Sequence, residues 1–157
     1  MTKAQKIRTF LWFDGQAEEA AKFYTSIFKY GTIGKVARYP EGSPGPAGSV
    51  MTVEFALDGH EFVGLNGGPQ FKFNESVSFA IECETQEEID YYWEKLLSGG
   101  GKPQQCGWLK DKFGVSWQVV PAELGTIFSN PKTAPRAMQA MLKMVKFDIE
   151  KLKEAAK

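Results

Sequence analysis

A shift of 69 residues lays the chain on itself. Thr9 then falls on Ser78, Phe10 on Phe79, Glu18-Glu19 on Glu87-Glu88, Phe23-Tyr24 on Tyr92-Trp93, and Ile27-Phe28 on Leu96-Leu97. Few positions are identical, but the strand, the helix start and the aromatic pair coincide. A repeat of this kind requires one supersecondary unit to be built twice. The 157 residues suffice for one domain, or for two small halves that share one core.

Periodicity gives each half the same order of elements. Ala17, Ala20, Ala21, Tyr24, Ile27 and Phe28 form one apolar helical stripe, and Ile89, Tyr92, Trp93, Leu96 and Leu97 form another. Thr85 and Glu88 have capping-box spacing at the start of the second helix, and Ser98-Gly99-Gly100-Gly101 stops it. Strands are expected at 7–13 and 76–83 before the helices. Further strands are expected at 36–39, 50–57, 61–65, 107–110 and 115–120. Along 50–57 Met51, Val53, Phe55 and Leu57 share one face, with Thr52 and Glu54 on the other. Asp58-Gly59 is a hairpin turn, and the Pro- and Gly-rich run 41–48 is a surface loop. The expected fold class is α+β. Two βαβββ modules, 7–69 and 76–121, form a curved mixed sheet around a cleft, in one domain. A helical tail over 134–157 follows, with Pro135 near the start of its first helix and Asp148 capping its second.

Several segments resemble the vicinal oxygen chelate superfamily, which includes glyoxalase I, extradiol dioxygenases and bleomycin-resistance proteins. They are Leu11-Trp12-Phe13-Asp14-Gly15 with Ala17 to Tyr24, Gly64 to Pro69, Val77 to Cys83, and Asp111 to Pro121. Within the superfamily the chain is similar to the PhnB-like branch, often labelled "3-demethylubiquinone-9 3-methyltransferase domain". The resemblance covers nearly all of 7–121. It implies that inward residues of the first and last strands of each half face the cleft. In metal enzymes of the superfamily these are His, Gln or Glu. Here they are Thr9, Ser78, Gln118 and a position between Gly64 and Asn66.

Neutral hydroxyls and amides are poor ligands for a divalent cation, so no metal and no cofactor are expected. They suit a small polar or aromatic molecule held in an apolar cleft. The expected ligand site comprises Thr9, Leu11, Asn66, Ser78, Trp108 and Gln118, with Trp108 available for stacking. Strand alternation puts Leu11 and Phe13 beside Thr9, and turns Phe10 and Trp12 toward the helices. Glu54 points into the cleft if Met51, Val53, Phe55 and Leu57 lie under a helix. A carboxylate partly out of water there could act as a base; the alternative is a surface Glu paired with Lys or Arg. The alternative function is a glyoxalase- or dioxygenase-like enzyme with a non-standard or metal-free site.

Counts remove other classes. His60 is the one histidine, and Cys83 and Cys106 are the two cysteines, so a His-rich metal site and zinc-finger spacing are both excluded. No strand-linked Gly-x-Gly-x-x-Gly marks a nucleotide or S-adenosylmethionine loop, which leaves the methyltransferase label without a cofactor motif. Nineteen Lys+Arg balance nineteen Asp+Glu, so nothing draws the chain toward nucleic acid or an anionic membrane. No run approaches the ~20 apolar residues of a membrane span, and Met1 to Lys6 is no signal-peptide core, so a cytoplasmic address is expected. The Met138, Met141, Leu142 and Val145 stripe suits core or a subunit contact, and a homodimer is expected.

Overall fold

Small residues bring the first helix close to its sheet. In the computed structural model, which describes residues 5–157, α1 (Ala17–Ile27) buries Ala17, Ala20, Ala21, Tyr24 and Ile27. The sheet beneath it has the order β1-β4-β3-β2, from β1 (Thr9–Phe13), β2 (Thr32–Arg38), β3 (Val50–Leu57) and β4 (His60–Asn66). β1 and β4 run parallel and the other pairs antiparallel. A Cβ on Gly64 would lie 3.1 Å from the Ala17 Cβ, and the Tyr24 ring stacks on Phe55 at 6.0 Å. The face carrying Leu11, Phe13, Val53, Phe55 and Gly64 is therefore the one under α1. Asp58 and Gly59 both have positive φ, 47° and 82°, as a tight β3–β4 hairpin requires.

β2 begins at Thr32, earlier than the expected 36. The reason lies in pairing: Thr32 and Ile33 sit opposite Ala56 and Phe55, and a register shift separates them from Val36. One compact unit ends at Lys72, and a second begins at Phe73.

The second unit repeats the plan. Its sheet has the order β5-β8-β7-β6, from β5 (Ser78–Cys83), β6 (Lys102–Pro103), β7 (Trp108–Lys110) and β8 (Ser116–Pro121). α2 (Gln86–Leu97) is capped as expected: Glu88 N donates to Thr85 Oγ1 at 3.2 Å, and Glu84 N donates to Glu88 Oε2 at 2.8 Å. Ile89, Leu96, Leu109, Trp117 and Val119 form its core. Asp111 is also buried, and it organises the β7–β8 turn. Its Oδ1 accepts from Phe113 N (2.9 Å) and Val115 N (3.1 Å), and its Oδ2 accepts from Trp117 Nε1 (2.9 Å).

The tail packs on this unit as α3 (Leu124–Phe128), α4 (Ala134–Leu142) and α5 (Ile149–Ala155). Asp148 caps α5 by accepting from Lys151 N at 3.0 Å. Gly107 has φ +80°, and a Cβ there would lie 2.5 Å from the Phe147 ring, so the missing side chain makes a socket for that ring. Gln86 clamps the tail: its Nε2 donates to Phe147 O, and its Oε1 accepts from Ile149 N, both at 2.9 Å. Among the described residues no helix is long and apolar enough to cross a membrane.

Candidate functional site

The central strand β8 carries two faces of different chemistry. Trp117 and Val119 lie with Leu109 in the core, while Ser116 and Gln118 alternate to the opposite face. The ladder sets Ser78 opposite Ser116, and Trp108 opposite Gln118. Gln118 Nε2 donates to Ser78 Oγ at 2.9 Å. That bond fixes the amide and leaves its carbonyl oxygen and the Ser78 proton for other partners. Ser116 is 1% exposed, and its hydroxyl has no hydrogen-bond partner in the protein. A buried hydroxyl beside a fixed amide and an indole makes a compact set of neutral donors and acceptors. At the edge of this face Lys110 pairs with Glu75. Hydrogen bonds from Lys110, from its own backbone N–H and from Gln104 hold the Glu75 carboxyl below its ordinary pKa.

The first unit places its expected residues differently. Leu11 is 5% exposed and belongs to the core under α1, with Phe13, whereas Phe10 is 56% exposed. The expectation that Phe10 and Trp12 turn toward the helices is therefore reversed. The physical reason is a one-residue difference between the halves. Ala20 and Ile27 match Ile89 and Leu96 at a shift of 69, but Leu11 and Phe13 match Ile81 and Cys83 at a shift of 70. The β1–α1 junction, Asp14-Gly15-Gln16, holds one residue more than the β5–α2 junction, Glu84-Thr85. A strand slipped by one residue exchanges its faces. The counterpart of Ser78 is thus Arg8, not Thr9. Thr9 Oγ1 lies 3.2 Å from His60 Nε2.

Asn66 serves the fold. Its Oδ1 accepts from Ala17 N at 2.9 Å, capping α1 where Gln16 supplies no side-chain bond. Its Nδ2 donates to Val50 O at 3.1 Å, and its backbone carbonyl accepts from the Tyr39 hydroxyl at 2.5 Å. Of the six expected residues the structure brings Ser78, Trp108 and Gln118 together in the second unit. Thr9, Leu11 and Asn66 belong to the first unit.

Met51, Val53, Phe55 and Leu57 do share the α1 side, and Glu54 points the other way. There it pairs with Arg8 at 3.3 Å, with the two side chains 38% and 42% exposed. A depression of about 180 Å³ holds this pair together with Thr32, Gly34 and Glu61. A larger cavity of about 550 Å³ lies at the other end of the strands, between Asp14, Glu18, Tyr39, Pro44, Asn66 and Gln70. Sequence reasoning missed Arg8, Glu61 and Ser116. Alternation from Gln118 was a sufficient signal for Ser116, and Arg8 needed the shift of 70.

A divalent cation does not fit these donors. Thr9, Ser78, Gln118 and Asn66 carry no charge, and the Asn66 amide is already bonded on both atoms. Glu54 faces a guanidinium that would repel a metal ion. Among the described residues no three His, Cys, Asp or Glu side chains are grouped to hold one.

The family model for 3-demethylubiquinone-9 3-methyltransferase matches residues 5–120. Among solved structures, a PhnB protein from Bacillus cereus is 41% identical, with a TM-score of 0.66, over 74% of this chain and 99% of its own. Protein PA1353 from Pseudomonas aeruginosa is 21% identical with a TM-score of 0.60, over 75% of this chain and 98% of its own. The fosfomycin resistance protein FosX from Mesorhizobium loti is similar in fold alone, at 10% identity and a TM-score of 0.59, over 82% of this chain and 100% of its own. No curated protein matches the chain.

Proposed function

Because the chain belongs to the 3-demethylubiquinone-9 3-methyltransferase (PhnB-like) family, with the glyoxalase/bleomycin-resistance fold, we propose that it binds a small neutral polar or aromatic molecule without a metal. One observation carries this reading: the 2.9 Å bond that locks Gln118 to Ser78, with Trp108 across the ladder. A locked amide presents a fixed acceptor, and an indole offers a flat apolar wall. The unpartnered Ser116 hydroxyl adds a further polar group beside them. Thr9, Leu11 and Asn66 are not needed for it.

The residues give less support to catalysis. Glu54 is 42% exposed and held by the Arg8 guanidinium at 3.3 Å, the geometry of a surface ion pair. The strand-to-helix junctions, Asp14-Gly15-Gln16 and Glu84-Thr85, are too short for a glycine-rich cofactor loop, so the methyl transfer in the family's name is not carried over. We read the protein as a homodimer in solution. The exposed Met138 and Leu142, at 40% and 58%, support that reading.

The test is a thermal-shift and calorimetric screen of neutral aromatic amides and phenols. At least one should raise the wild-type melting temperature in proportion to its concentration. Gln118→Leu should melt as wild type without ligand but bind that compound about tenfold or more weakly. A panel with no shift, or equal binding by Gln118→Leu, would refute the proposal.

A further inference from the structure

The cavity of about 550 Å³ takes no part in the function proposed above. Every residue that lines it belongs to the first unit, whereas Ser78, Trp108 and Gln118 belong to the second. Its size is that of a small-molecule cleft, which is commonly ~300–1,000 Å³.

The fold ties its walls down. Tyr39 N donates to Ser49 O at 2.9 Å and Gly48 N to Tyr39 O at 2.8 Å, which closes the Pro-rich loop on itself. Arg38 Nη1 adds a bond to Gly48 O at 3.0 Å. Gly45 lies flat on the Tyr39 ring, since a Cβ there would be 2.4 Å from it. After β4, Trp12 Nε1 donates to Gly68 O at 2.9 Å, and Gly67 packs against the same indole. A ligand meets walls already in place, so little ordering is needed on binding.

Most hydrogens on these walls are committed. The Tyr39 hydroxyl donates to Asn66 O at 2.5 Å, Ser49 Oγ to Pro46 O at 2.6 Å, and Asn66 Nδ2 to Val50 O at 3.1 Å. Only the exposed Gln70 amide, whose oxygen lies against Gly68, has side-chain hydrogens left to give. What the cavity offers a ligand is acceptors. Neither the Asp14 nor the Glu18 carboxylate is bonded to a described residue, and the lining holds no Lys, Arg or His. Both carboxylates stand at the positive end of α1, but that end carries only roughly half a charge. Its Ala17 N–H is already bonded to Asn66 Oδ1. Two carboxylates outweigh it, and the cavity is anionic. The Tyr39 ring, Pro44, Pro46 and Val50 make the rest of it apolar.

We propose that this cavity binds a small organic amine as its ammonium ion. The N–H groups donate to Asp14 and Glu18, and the hydrocarbon body rests on Tyr39, Pro44 and Pro46. An anion meets two like charges here. A bare divalent cation finds two carboxylates and, among the described residues, no third His, Cys, Asp or Glu grouped with them. A neutral alcohol fills the same space but forms no charge-assisted hydrogen bond.

Calorimetry on the full chain tests this, with 2-phenylethylamine as the probe and 2-phenylethanol as its uncharged match. The amine should bind saturably, and the alcohol about tenfold or more weakly. Amide shifts in the NMR spectrum of the labelled chain should centre on Gly15, Gly45, Gly67 and Gly68. Asp14→Asn/Glu18→Gln should weaken the amine about tenfold or more. No binding of the amine at about 10 mM, equal affinity for the alcohol, or a double variant that binds as wild type would overturn the proposal. Shifts centred on Ser78 and Gln118 would overturn this site and leave the earlier reading standing. If the double variant fails to fold, the wild-type shift map and the amine-to-alcohol ratio decide.

Discussion

Replacing Asp111 by Asn changes one atom and should cost the second unit much of its stability. Asp111 is 3% exposed; its Oδ1 accepts from two backbone N–H groups and its Oδ2 from the Trp117 indole. Asparagine can keep the first two through its carbonyl oxygen. Its amide then meets the indole N–H donor to donor, and two buried donors lose their partner. Each buried unsatisfied group costs about 1–3 kcal/mol, while removing a buried charge returns part of that, so a net loss near 2 kcal/mol follows. Asp111→Ala strands all three donors and should lose about 4 kcal/mol. Urea unfolding followed by circular dichroism should show the Asn variant's midpoint lower by about 1 M, with the slope unchanged. The discriminating measurement is a double-mutant cycle with Trp117→Phe. Without the indole N–H, most of the Asn penalty should vanish. An Asp111→Asn variant within about 0.5 kcal/mol of wild type, or costs that simply add, would show that the turn does not depend on this carboxylate.

Three further outcomes follow from the packing and the charges. Gly64→Ala should destabilise by about 1–3 kcal/mol, because its Cβ would stand 3.1 Å from Ala17 on a helix that must move to admit it; unchanged urea unfolding would refute that contact. Burial pushes the Cys83 thiol up to about 12, so a thiol reagent at pH 8 should label Cys83 only after unfolding, read by peptide mass; native labelling there would contradict its burial. Hydrogen bonds from Lys146 and Gln86 hold the Asp90 carboxyl below the ordinary carboxylate range. The contribution of that pair to tail docking is therefore complete above the unfolded pKa and is lost as pH falls through the lower folded one. Amide exchange around 144–149 should accelerate in acid, below about pH 4, and Asp90→Asn should flatten that dependence.

Where local pattern decides structure, the sequence was legible. The apolar stripes of α1 and α2, the Thr85–Glu88 box, the Asp58-Gly59 turn and the Asp148 cap all depend on neighbours within four residues. The family resemblance through Phe13-Asp14-Gly15 and the Ser78 to Cys83 strand gave the fold. The helical tail was legible too, but not its use of Ala137 rather than Met138 and Leu142 as the buried face. What failed was non-local. The cap on α1 comes from Asn66, 49 residues away, so a residue assigned to a ligand is a structural one. The single extra residue between β1 and α1 reversed a strand, moving Leu11 into the core and Arg8 into the place given to Thr9. On β8 no such slip intervened, and Gln118, Ser78 and Trp108 came together as alternation requires.

The Phe147 socket also orders events in time. The core of the first unit, from Leu11 to Val63, and its Asn66 cap are complete once residue 66 has been made. The second unit is not, because the socket at Gly107 waits for the Phe147 ring, and Gln86 waits for Ile149, 63 residues downstream. During synthesis the first unit can close while the ribosome is still translating, whereas the second stays open until Leu152 has emerged. A nascent chain stalled between these points carries one finished unit and one apolar seat without its occupant.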